Sequence, residues 1–185
     1  MFTPLFTDGI WNTTFNSDLK EYCDFIRKND KGRSVSNTGG YQSNYLNMAE
    51  PIIQPLISHI QLSTKHFSSY LQCNSSCKVS DMWININGYK DYNMEHTHPN
   101  CMFSGVYYIH TPKDCGHIEF VRHSHDYMTY DWRGKQSKYN SHNSALWHVP
   151  SEKNKCYIFP SYYKHRVTPN YNKEEQRYSI SFNIQ

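Results

Sequence analysis

A chain of 185 residues has the length of one ordinary domain, and 19% charged with 16% aromatic residues is not the composition of a disordered segment. A net charge of +3, with no stripe of Lys and Arg, is too small to indicate a nucleic-acid partner, and no apolar run reaches membrane-spanning length. The six cysteines (23, 73, 77, 101, 115 and 156) are irregularly spaced in a chain long enough to fold without staples. They are expected to be free thiols of a cytoplasmic protein, since the opening MFTPLFTDGIW has no basic segment followed by an apolar stretch.

Residues 1–77 read as a helical buttress. Ser17 is a candidate N-cap, with Leu19, Tyr22, Cys23 and Ile26 following at the spacing of one helix face. Asn29, Asp30 and Gly32 should stop that helix. The Gly-, Ser- and Asn-rich stretch 30–45 reads as a loop. A longer helix should begin at Pro51, with Ile53, Leu56, Ile57, Ile60, Phe67 and Leu71 as its apolar stripe.

From residue 78 the period changes to two. Strands are expected near 81–88, 94–98, 102–110, 116–122, 145–149, 155–159, 164–168 and 176–184, enough for a two-sheet barrel. The polar stretch 123–144 is too long for a tight turn and should be a lid or insertion. In the last strand Arg177, Ser179, Ser181 and Asn183 share one face, with Tyr178, Ile180, Phe182 and Ile184 on the other. In the first, Trp83, Asn85 and Asn87 oppose Met82, Ile84 and Ile86. A sandwich would turn such a polar face to water; a barrel with a polar interior site would turn it inward, and the candidate ligands favour the barrel.

Those ligands begin with His96-Thr97-His98. Residues i and i+2 of a strand point to one side, so both imidazoles can reach one ion. By itself the pair is weak among eleven histidines, and His123/His125 is a second such pair, assigned to the insertion. His165 follows an apolar strand and a Pro turn and is the candidate third ligand, although a lone histidine is more often structural. Twelve residues later come Arg177 and Ser179, on one side of a strand. A guanidinium and a hydroxyl there could grip the far carboxylate of a dicarboxylate.

Together these segments resemble the 2-oxoglutarate- and iron(II)-dependent oxygenases, in particular a group encoded by bacteria and phages. The matching stretches are Trp83-Ile84-Asn85, His96-Thr97-His98-Pro99 running into Ser104 to Tyr108, Phe159-Pro160-Ser161 to His165, and Arg177 to Asn183. Pro4-Leu5-Phe6 and Ile10-Trp11 also look similar to that group. The resemblance implies a double-stranded β-helix, a jelly-roll barrel, buttressed by helices. It implies Fe(II) held by His96, His98 and His165, and 2-oxoglutarate held by Arg177 and Ser179, with Asn85 and Tyr108 added to that set. Tyr107 and Tyr108 are not separable by sequence. The family pattern has a carboxylate where His98 stands. Two arrangements stay open: direct ligation in a three-histidine site, or His98 beside the metal with water in its place. Asn100 is a weaker candidate, and Glu95 points to the other side of the strand. The implied reaction uses 2-oxoglutarate and O2 to hydroxylate an unactivated C–H of an unidentified substrate, releasing succinate and CO2; a homodimer is allowed.

Two other readings compete. A cupin-like metal enzyme would share the His pair and His165, but it lacks the acid expected within 100–104 and gives Arg177 and Ser179 no role. A non-catalytic metal module would need a closed fourth ligand, for which Cys101 is the candidate.

Overall fold

In the computed structural model, residues 1, 3 and 7–185 are described; the Pro4-Leu5-Phe6 resemblance lies outside them. The elements run β1 (Trp11–Thr14), α1 (Lys20–Asn29), β2 (Asn37–Thr38), β3 (Tyr41–Gln42), α2 (Gln54–Tyr70), β4 (Val79–Asn87), β5 (Tyr92–His96) and β6 (Phe103–His110). There follow β7 (His117–Val121), α3 (His125–Asp131), β8 (Leu146–Pro150), β9 (Lys155–Pro160), β10 (Lys164–Val167) and β11 (Arg177–Ile184). All eight expected strands are present, each within about two residues of its expected ends.

The strands form a six-stranded sheet, β1-β9-β6-β11-β4-β3, and a five-stranded sheet, β2-β5-β10-β7-β8, with antiparallel neighbours throughout. From β4 to β7 and again from β8 to β11 successive strands alternate between the sheets, with β7 and β8 paired in the smaller one, which is the arrangement of a double-stranded β-helix. The larger sheet settles where the polar faces point. Met82, Ile84 and Ile86 of β4 and Tyr178, Ile180, Phe182 and Ile184 of β11 join one core with Leu19, Cys23, Leu56, Ile60 and Phe67 of the helical layer. The opposite phase of the same strands therefore faces the smaller sheet, where Val106, Tyr108, Ile118, Tyr157 and Phe159 make a second, smaller cluster.

Several expectations for the N-terminal part are corrected. Stretch 30–45 is not only loop: β2 and β3 lie within it and extend one sheet each. Strand β1 also extends the larger sheet, pairing with β9. Helix α1 starts at Lys20, so Ser17 is not its cap; the Lys20 amide points at Asp18 Oδ1, 3.4 Å away. Pro51 opens a 3-10 turn (Pro51–Ile53) that leads into α2, and Leu71 follows the helix's end, exposed rather than in its buried stripe. No helix of the described residues is long and apolar enough to cross a membrane.

Candidate metal centre

Strand register brings the histidines together. His165 on β10 stands directly opposite His96 on β5, so both project from one face, the inner face of the smaller sheet. His98 lies beyond the end of β5, because Pro99 has no N–H with which to continue a ladder. It is nevertheless held at that end by its own amide, which donates to the Ser161 carbonyl at 3.0 Å. The pair expected on one strand is thus one strand residue and one residue past its end. Each of the three rings offers a nitrogen, and the three nitrogens lie within 4.8 Å of one another.

Hydrogen bonds set which nitrogens are offered. Nδ1 of His165 donates to the Tyr163 carbonyl (2.8 Å), and Nδ1 of His96 to that of Met94 (2.6 Å). Both rings then present a bare Nε2. The His98 ring lies 8° from parallel to that of His165, and their Nε2 atoms are 3.3 Å apart. Two imidazole nitrogens bound at right angles to one ion, each at about 2.1 Å, would stand about 3.0 Å apart. The spacing therefore fits a shared ion. Burial, and after it the nearby His96, pull the His165 pKa down to about 3 and the His98 pKa down to about 4. At neutral pH the rings are uncharged, the form that binds metal.

The cavity beside them is narrow, about 40 Å³, and runs from the histidines to Arg177 past Trp83, Asn85, Tyr108, Ser179 and Ser181. Arg177 is 1% exposed and makes no ion pair among the described residues. Its Nη1 donates to the carbonyls of Cys115 and Thr168, whereas Nε and Nη2 are buried with no partner. Asn85 Oδ1, Asn87 Oδ1 and the Tyr108 hydroxyl are also buried without a hydrogen bond. A buried guanidinium with two idle donors is a receptor for an anion. The donor set fits a dicarboxylate with one end at Arg177 and the other at the histidines.

The structure separates the two tyrosines. Tyr108 faces this cavity, while Tyr107 faces the helical side and donates to the Phe15 carbonyl at 3.0 Å. Asn85 lines the cavity, its Nδ2 donating to Ser181 Oγ at 3.0 Å. The alternative ligands fall elsewhere. Asn100 sits in a turn at φ 64°, Glu95 reaches Lys164 at 3.4 Å, and the Cys101 thiol turns to the Pro99 carbonyl. His123 stacks on Tyr162 and His125 lies 3.1 Å from Asp126, both outside the cluster. The alternation in the sequence already put Asn87 on the same face as Asn85, but Asn87 was not among the expected site residues, although it lines the same cavity. Sequence reasoning also passed over Phe120, whose Cα pairs with that of His165.

The chain is similar in structure to a prolyl-4-hydroxylase of Pseudomonas putida (TM-score 0.67, 12% identity, 97% of this chain and 94% of that one). It is also similar to the non-heme alpha-ketoglutarate-dependent epimerase SnoN of nogalamycin biosynthesis (TM-score 0.63, 15% identity, 96% and 79%). A Trichoplax adhaerens prolyl hydroxylase in complex with a hypoxia-inducible factor fragment matches with TM-score 0.60 at 14% identity (96% and 84%). At such identities these likenesses show the fold. No curated protein sequence matches the chain significantly. A family model of 2OG-Fe(II) oxygenases matches residues 81–183, more than half of the chain. The chain therefore belongs to the 2OG-Fe(II) oxygenases, whose Fe(II) and 2-oxoglutarate are a metal and a dicarboxylate of the kind this cavity's donors fit.

Proposed function

We propose that the chain is a 2-oxoglutarate-dependent hydroxylase in which His96, His98 and His165 hold Fe(II). Arg177, helped by Ser179, Tyr108 and Asn85, holds the far carboxylate of 2-oxoglutarate. The observation that carries this reading is the unpaired, buried Arg177 at the opposite end of one narrow cavity from three converging imidazoles. When bound, the iron and keto acid supply the oxidation of an unactivated C–H by O2, with succinate and CO2 as co-products.

The chain's own contribution is placement and charge. Arg177 neutralises one carboxylate and leaves the keto-acid end directed at the histidines. The carbonyls of Met94 and Tyr163 fix the orientation of two imidazoles. The rings of Phe120 and Phe159 pack against His165 at 6.1 and 4.7 Å and keep water from its edge. A cupin-like enzyme would leave Arg177 without an anion, and a closed structural site would need Cys101, which turns away.

The test is anaerobic titration of the iron(II) protein with 2-oxoglutarate, following the weak visible band of the iron–keto-acid chelate. The band should appear with wild type. With Arg177→Ala the dissociation constant should rise by roughly tenfold to a hundredfold, as expected for losing a charge-assisted contact of about 1.5–3 kcal/mol. Iron bound without any band would defeat the proposal.

A further inference from the structure

A second cavity, of about 290 Å³, opens beside the histidine cluster. Its walls are mainly apolar: Phe120, Trp147 and Val149 from the inner face of β7 and β8, Ala145 just after the 123–144 insertion, and Ile10 and Tyr163 opposite. Strand register ties it to the candidate metal centre. His96 pairs with His165, His165 with Phe120, and Phe120 with Trp147, so these four side chains form one cross-strand row over the inner face of the smaller sheet. At about 4.8 Å per strand, Trp147 lies only about 10 Å along that row from His165. The cavity thus begins one residue row from the histidines, whereas the 40 Å³ cavity between His165 and Arg177 has no room for a substrate besides the dicarboxylate.

We propose that this second cavity is the recognition pocket for the primary substrate, and that it takes an uncharged one- or two-ring aromatic or alicyclic group of a small molecule. The inference rests on the hydroxylase reading given above. Size sets the first part of the assignment. Small-molecule pockets span about 300–1,000 Å³, and one at the bottom of that range holds a ring system rather than a folded segment of another protein. Charge sets the second. The charged side chains lining the cavity already have partners: Arg122 donates to the carbonyls of Ser141 and His142, and Asp8 Oδ1 lies 3.4 Å from the Tyr163 hydroxyl. Recognition is therefore left to uncharged groups: aromatic and aliphatic surface, with the indole of Trp147, 49% exposed, at the rim, and the Ser144 hydroxyl, which is buried there without a hydrogen-bond partner. The Arg122 contacts also fold the far end of the insertion over the cavity, so one segment both shapes and roofs it.

The test uses indole and 2-naphthol as probes, with 2-naphthoate as the charged control. The protein carries Mn(II), or Zn(II) as a diamagnetic reference, in the histidine site. The neutral probes should bind, and their proton NMR signals should relax faster with Mn(II) than with Zn(II). The naphthoate should bind at least tenfold more weakly. Ala145→Phe, which fills the cavity from a half-buried position, should abolish probe binding and leave the iron–keto-acid band intact; Trp147→Ala should weaken the probe tenfold or more if the first variant does not fold. No neutral-probe binding, equal relaxation with both metals, or binding undiminished in both variants would overturn the assignment. Absence of the band in wild type would instead defeat the hydroxylase reading, and the probe experiment can be scored without it.

Discussion

At Arg177 the chain buries a full positive charge that makes no ion pair among the described residues. Taking such an ion out of water costs on the order of several kcal/mol, and two backbone carbonyls offset only part of this. A group so placed is explained by a ligand that brings the missing charge. His98 is the other residue where charge decides. In the proposed three-histidine site an imidazole in place of a carboxylate would leave the metal one charge more positive, which disfavours the oxidised ion. His98→Asp should therefore lower the reduction potential of the bound iron, and a redox titration of the two proteins checks it. The histidines also carry a pH prediction for metal-free protein. Their folded pKa values, about 3 for His165 and about 4 for His98, lie below the unfolded value near 6.5. Below that value the unfolded chain takes up protons that the folded chain refuses, so stability is intact above about pH 6.5 and falls as pH drops towards 4. The slope is at most about 1.4 kcal/mol per pH unit for each group. Urea midpoints at pH 7.5 and 5 should fall less in His165→Gln than in wild type.

At the scale of elements, Gly116 shows how closely the strands fit around the anion receptor. It immediately precedes β7 at φ 79°, and a Cβ there would run into the carbonyls of Thr168 and Pro169 and stand 3.0 Å from Arg177 Nη1. Gly116→Ala should lower the melting temperature, by about 1–3 kcal/mol of stability, and weaken 2-oxoglutarate while sparing metal affinity. Calorimetric titrations with Co(II) and with the keto acid separate the two effects. The core strands were legible in the sequence because period-two alternation runs through all eight residues of β11 and through residues 82–87 of β4, while β6 is a nearly continuous apolar run. The same alternation made Arg177, Ser179 and Asn85 readable as one face. What escaped was non-local. Strands β2 and β3 are two residues long, so their pairing depends on partners some fifty residues away rather than on any pattern of their own. The phase of Tyr107 and Tyr108 was hidden because both neighbours are aromatic. His98 was placed on a strand that Pro99 ends early.

At the scale of the whole molecule, the larger sheet works as a partition. One face carries Arg177, Ser179 and Asn85 towards the smaller sheet, and the other carries Ile84, Ile180 and Phe182 into the helices. The polar lining of the cavity keeps its geometry because the opposite face of the same strands is closely packed. The resemblance to the family stops near residue 81, but the packing does not. The sheet loses its outermost strands, β1 and β3, and its helical cover if the chain is cut there. A 78–185 fragment should consequently behave as a sticky, dye-binding species, with strong anilinonaphthalene sulfonate fluorescence that intact protein lacks. The boundary that describes shared chemistry is then not a boundary at which the polypeptide can be divided, and a minimal version of this oxygenase must keep the N-terminal strands and helices together with the barrel.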